Sequence, residues 1–176
     1  MIDSAFNLGE ELTLKTLKFK LQQSLWVKYD LGAFDLQLAN WTTIKYLNHD
    51  GTGFNPDIDI LPNDKGGLYM FSIYCPVIPG RTEFPVYIGR AQLTEKQNLR
   101  KRCREYFTKF SRDDERPKIT KMFNYWAKEL YLSFIPLDQN AEIIDFEKKL
   151  INSLLLPFND EIPDQEIRQA VVAFQL

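Results

Sequence analysis

The spacing of apolar positions changes character at residue 67. Upstream, Leu12, Leu14, Leu17, Phe19 and Leu21 mix period 2 with period 3 to 4, so strand and helix compete there. Ala33 to Leu47 reads as helical, anchored by Trp41, Ile44 and Tyr46-Leu47. The run His49-Asp50-Gly51-Thr52-Gly53 then breaks it and opens a loop that continues to Gly66. Downstream the periods are sharper. Leu68 to Tyr74 is aromatic and β-branched, which predicts a strand ended by Pro76, Pro79 and Gly80. Phe84 to Gly89 predicts a second strand, paired antiparallel to the first across an excursion longer than a tight hairpin. Thr94 and Gln97 have capping-box spacing, which predicts a helix from there to about Phe107. Pro117 opens another helix, with Met122, Tyr125-Trp126 and Leu130 on its apolar face. Leu130 to Ile135 predicts a third strand stopped by Pro136. Asn140 then caps a helix over 141–155, and Pro163 to Leu176 forms one more.

Composition narrows the class without choosing a function. The 176 residues are 44% hydrophobic and 26% charged, an ordinary globular balance. No apolar run reaches the length of a membrane-spanning helix, and Met1-Ile2-Asp3-Ser4 lacks the basic start of a secretory signal. Two cysteines and one histidine exclude a disulfide framework and a His/Cys metal cluster, so reduced thiols in the cytoplasm are expected. The net charge of −2 conceals a pattern. Residues 80–130 carry 13 Lys and Arg against 7 Asp and Glu, while the segments on either side are net acidic. A local basic surface on an acidic protein suits a defined nucleic-acid footprint, and a solvated face with charges paired in space fits the composition equally.

Three features carry candidate chemistry. On the helix that follows Asn98, Leu99, Cys103 and Phe107 share a stripe, and Arg102 and Tyr106 sit four apart at its edge. An arginine there can meet a phosphate with several charge-assisted hydrogen bonds, or simply lie along the stripe as a surface residue. Arg100, Lys101 and Arg104 point elsewhere, where they could touch a nucleic-acid backbone, as could Arg90. Glu147 falls inside the arc of Ile143, Leu150, Ile151 and Leu154. A carboxylate aimed where leucines point costs several kcal/mol unless it meets a metal ion or a cation such as Arg102. Tyr69 and Tyr87 lie in strands beside Gly67 and Gly89. Strand tyrosines are commonly core residues, and their hydroxyls need a nearby cation to act as bases.

In order, Gly67-Leu68-Tyr69, Tyr87-Ile88-Gly89, Arg102, Tyr106, Glu147 and Pro157-Phe158-Asn159 resemble the motifs of the GIY-YIG nuclease domain, over Lys65 to Asn159. Leucine stands for the middle isoleucine of the first motif, and the segment 75–85 is longer than in compact members. The resemblance implies an α+β fold, a small three-stranded antiparallel sheet flanked by helices over residues 63–176, preceded by an N-terminal extension over 1–62. It implies a Mg²⁺- or Mn²⁺-dependent DNA endonuclease, restriction-like or defence-related, with RNA left open as substrate. Tyr69 would help activate water with Tyr106 assisting, Tyr87 would orient phosphate or water, Arg102 would stabilise the transition state, Glu147 would bind the metal and Asn159 would brace the site. The alternative is a catalytically silent nucleic-acid-binding module of the same fold. The extension could recognise a target, form a homodimer surface or complete the core.

Overall fold

A computed structural model describes residues 4–32 and 34–174. The elements are α1 (Ala5–Leu14), α2 (Gln23–Lys28), β1 (Thr42–Lys45), β2 (Gly66–Tyr74), β3 (Glu83–Ala91), α3 (Leu99–Phe110), α4 (Pro117–Trp126), β4 (Leu130–Leu137), α5 (Asn140–Leu154) and α6 (Gln165–Ala173). The sheet is antiparallel with order β1-β4-β2-β3. It therefore has four strands, which corrects the three-stranded sheet expected from the sequence.

The extra strand comes from the segment whose spacing predicts a helix. Ala33 lies outside the described residues, but Thr42–Lys45 is extended and pairs with β4 in the register Thr42↔Phe134 to Lys45↔Tyr131. β-Branched Thr42, Thr43 and Ile44 suit a pleated surface, and a partner some ninety residues away decides the conformation. Thr43 and Ser133 also bond through their hydroxyls at 2.7 Å across that pair. The segment continues into Tyr46, Leu47, Ile58 and Leu61, all buried, so residues ahead of 63 help to fill the core.

Side chains alternate across β2. Tyr69, Phe71 and Ile73 face a core built with α3 and α4, including Cys103, Phe107, Met122 and Phe123. Leu68 and Met70 face α5, where Ile143, Leu150 and Ile151 cover them. The helices α3 and α5 consequently lie on opposite faces of the sheet. Gly67 is required where it stands: its φ is 155°, and an added Cβ would lie 2.3 Å from the Ile135 carbonyl oxygen.

Several boundaries differ from the sequence expectation. Asn98 rather than Thr94 caps α3, its side chain accepting from the Lys101 amide at 2.8 Å. Thr94 and Gln97 close a preceding turn. Pro136 does not end β4, which runs on to Leu137 opposite Gly66. Asn140 lies inside α5, and its amide bridges the Leu93 backbone N–H and carbonyl instead of capping. The last helix ends at Ala173, and Gln175 and Leu176 lie outside the described residues.

Candidate active site

Two glycine-flanked strands bring the tyrosines together. Tyr69 stands directly opposite Gly89 in the β2–β3 ladder. A Cβ at Gly89 would lie 2.7 Å from the Tyr69 hydroxyl oxygen, so the ring occupies the space that glycine leaves. From α3, the Tyr106 hydroxyl lies 2.7 Å from that of Tyr69 and 2.8 Å from that of Tyr87. Three phenols thus form one hydrogen-bonded chain with Tyr106 at its centre. Tyr106 lies inside the packed stripe of α3 rather than at its edge, because its hydroxyl has two partners there. Tyr69 and Tyr106 are 0% and 2% exposed, and burial pushes both phenols well above their ordinary pKa.

Arg102 completes the cluster from one helical turn earlier. Its Nη2 lies 3.5 Å from the Tyr106 hydroxyl, and its guanidinium stands 5.1 Å from that ring's centroid. Glu105 accepts from its other nitrogen at 2.8 Å and is itself held by Gln97 at 2.8 Å. Burial works against the Arg102 charge, but the surrounding phenol oxygens and Glu105 more than offset it, raising its pKa. The arginine is a permanent cation aimed at the phenols.

The chain of phenols ends at a cavity of about 750 Å³ beyond β3, the outer strand of the sheet. Tyr87, Arg90, Arg102, Glu147 and Asn159 all line it, with Arg116, Asp160 and Glu161. Arg102 and Glu147 come from helices on opposite faces, and both reach the cavity because it lies past that edge. Tyr69 and Tyr106 stand behind Tyr87, out of the cavity wall. Asn159 braces the wall through Ile88, accepting from its N–H at 3.1 Å and donating to its carbonyl at 2.8 Å. The adjacent Phe158 N–H bonds the Val86 carbonyl at 2.9 Å.

Glu147 ion-pairs with Arg90, not with Arg102. Its side chain is 15% exposed, and desolvation raises its pKa despite the neighbouring guanidinium. Among the described residues no group of three or more His, Cys, Asp or Glu side chains could hold a metal ion. Mg²⁺ does not need one, since it keeps several waters and binds through one or two carboxylates with substrate phosphates. The carboxylates on this cavity are Glu147, Asp160 and Glu161, and no imidazole or thiol lines it, a donor set that suits a hard cation. Glu147 therefore fits the part, with Arg90 as its competitor.

Arg116 is the residue that sequence reasoning missed. Its guanidinium stands 5.8 Å from the Tyr87 ring centroid and pairs with Asp160 at 3.5 Å. No apolar stripe marked it; the only sequence signal is its place directly before Pro117, at the mouth of α4.

The remaining basic candidates lie on another side of α3. Arg100 donates to the Asp59 and Leu61 carbonyls, and Arg104 meets the Asp59 carboxylate at 2.9 Å and stacks over Phe54 at 4.7 Å. Lys101 bonds the Lys96 carbonyl. With Lys109 and Arg112 these line a second concavity of about 550 Å³, where Glu105 is the one acidic side chain among the described residues. Cys103 is fully buried and desolvation pushes its thiol up, so it packs as a small hydrophobe. No helix among the described residues is long and apolar enough to cross a membrane.

The chain matches no family model, no curated protein and no solved structure.

Proposed function

We propose that this chain is a phosphodiesterase of the GIY-YIG type, a divalent-metal-dependent endonuclease acting on DNA in the cytoplasm. The observation that carries the reading is the chain of three phenol hydroxyls beside Arg102, opening through Tyr87 onto a cavity that also holds Glu147 and Asn159. A structural aromatic cluster has little use for a fixed guanidinium and a desolvated carboxylate on the same wall.

In this mechanism the scissile phosphate lies in the cavity with its nonbridging oxygens toward Arg102 and Arg116. Charge grows on those oxygens in the transition state, where a preorganised guanidinium is worth most. Tyr87 presents the hydroxyl that orients the attacking water. Tyr69 acts behind it, through Tyr106: its own hydroxyl is buried and stays protonated, so it fixes the hydrogen-bond direction of the chain. The attacking water would lose its proton, and the leaving oxygen gain one, through solvent water in the cavity. Glu147 would hold a Mg²⁺ or Mn²⁺ ion, which supplies Lewis-acid polarisation of the phosphate and leaving oxygen. Asn159 keeps the β3 wall at its spacing from α5. The basic concavity on α3, a helix about 18 Å long, suits the backbone of the flanking duplex, sequence-independently.

The test is a cleavage assay on plasmid DNA and single-stranded RNA, with Mg²⁺, Mn²⁺ or EDTA, beside Glu147→Gln. Plasmid cutting that requires the metal and is lost in the variant is expected. Cutting that survives EDTA or Glu147→Gln would reject the mechanism. Binding without cutting of varied DNA sequences under every metal condition would make the chain a silent binding module.

A further inference from the structure

The Arg90–Glu147 pair has two features that a structural ion pair does not need. Glu147 is the desolvated partner, at 15% exposed, and Arg90 is the accessible one, at 31%. Arg90 also lines the cavity, from the α5 face of β3, so its guanidinium can turn toward a ligand there without leaving the strand. The carboxylate cannot turn away in the same manner, since Ile143 and Ile151 bury its helix against the sheet. The more accessible half of the pair is the cation.

We propose that Arg90 is a latch on Glu147, and that a divalent cation and a phosphodiester enter this cavity cooperatively. The proposal rests on the reading of Glu147 as the metal-binding carboxylate. With the cavity free of phosphate, Arg90 occupies the carboxylate, and a second positive charge at the same oxygens is repelled. A phosphodiester gives Arg90 an alternative acceptor of matching planar geometry. Glu147 is then released from its ion pair, with Arg102 the remaining guanidinium that acts on it, in a desolvated position where a hard cation can take the place of Arg90. By linkage the cation tightens phosphodiester binding by the same factor. Neither ligand alone satisfies both members of the pair. Arg90 is thus a positioning residue for Glu147 as well as a phosphate contact, and the free protein is kept from holding a reactive metal in the absence of substrate.

The experiment measures Mn²⁺ affinity at pH 8 by electron paramagnetic resonance, with no turnover involved. In the wild-type protein, adding a non-hydrolysable phosphorothioate dinucleotide should tighten Mn²⁺ binding by about tenfold or more, within the usual range of coupling between sites. In Arg90→Gln without the dinucleotide, Mn²⁺ should already bind about tenfold more tightly than to wild type, and the dinucleotide should add little. Equal wild-type affinity with and without the dinucleotide would overturn the latch, and that arm stands even if Arg90→Gln does not fold. A folded Arg90→Gln protein with unchanged Mn²⁺ affinity would overturn it too. Glu147→Gln separates the two claims. If Mn²⁺ binds that variant as it binds wild type, the assignment of the metal to Glu147 fails, and the latch fails with it. If Mn²⁺ binding is lost there but wild type shows no coupling, the metal site stands and only the latch is wrong.

Discussion

Helix α3 sends cations to two places, and their surroundings differ more than their chemistry. Toward the cavity it directs Arg102, held by Glu105 with its guanidinium against the buried Tyr106 hydroxyl. Away from it, Arg100, Lys101, Arg104, Lys109 and Arg112 line an open concavity, several of them resting on backbone carbonyls or Asp59. Arg102 keeps 32% of its side chain exposed, much as Arg100 does at 30%, so the two sets differ in their partners rather than in their access to water. Cations on one twelve-residue helix thus meet two kinds of neighbour: packed phenols with Glu105 on one side, and backbone carbonyls with Asp59 on the other.

The sharpest way to break this comparison is Arg102→Ala. The loss should lower turnover on cleavable DNA by about a hundredfold or more, with affinity changed far less, because the charge acts where the transition state develops. Equal losses in affinity and turnover would place Arg102 with the set on the open concavity.

Gly89→Ala probes the packing that aims the phenols. The added methyl would meet the Tyr69 hydroxyl, whose ring has no room to withdraw. A stability loss of about 1–3 kcal/mol is expected by thermal or denaturant unfolding, with activity falling too. An unchanged midpoint would mean that the ring shifts freely and the hydroxyl chain is loosely held.

The smallest effect belongs to the open concavity. Lys109→Ala or Arg112→Ala should weaken binding by a similar factor on unrelated DNA sequences, and each should reduce the slope of log affinity against log salt by about 1. Turnover at saturating DNA should stay as it was. A sequence-dependent effect would mean that these side chains read bases rather than backbone.

Much of the placement of the candidate residues is legible in the chain, since they sit in local patterns that fold as they read: Tyr69 and Tyr87 in aromatic strands, Arg102 four before Tyr106, Glu147 in an apolar arc. Their pairing is not. That Glu147 meets Arg90 depends on how α5 lies over β3, which no spacing encodes. β1 reads as helix because the irregular spacing of Trp41, Ile44, Tyr46 and Leu47 suits either period, and only β4 decides it. Arg116 sits in a charged segment whose course is set by a left-handed turn at Asp113, with φ of 55°. The start of α3 is misplaced for a simpler reason: Asn98 and Thr94 can both cap, and both do so, one on the helix and one on the turn before it.

Asn159 has a consequence beyond the cavity. By meeting both the N–H and the carbonyl of Ile88, its side-chain amide copies one rung of a neighbouring strand, and Phe158 supplies another at Val86. These are groups that an exposed sheet border would offer to any passing extended peptide. The opposite border, β1, is only four residues long and ends in Lys45. Both borders are thereby poor templates for recruiting a further strand, and the asparagine that holds the wall of the site also helps to keep the sheet from polymerising.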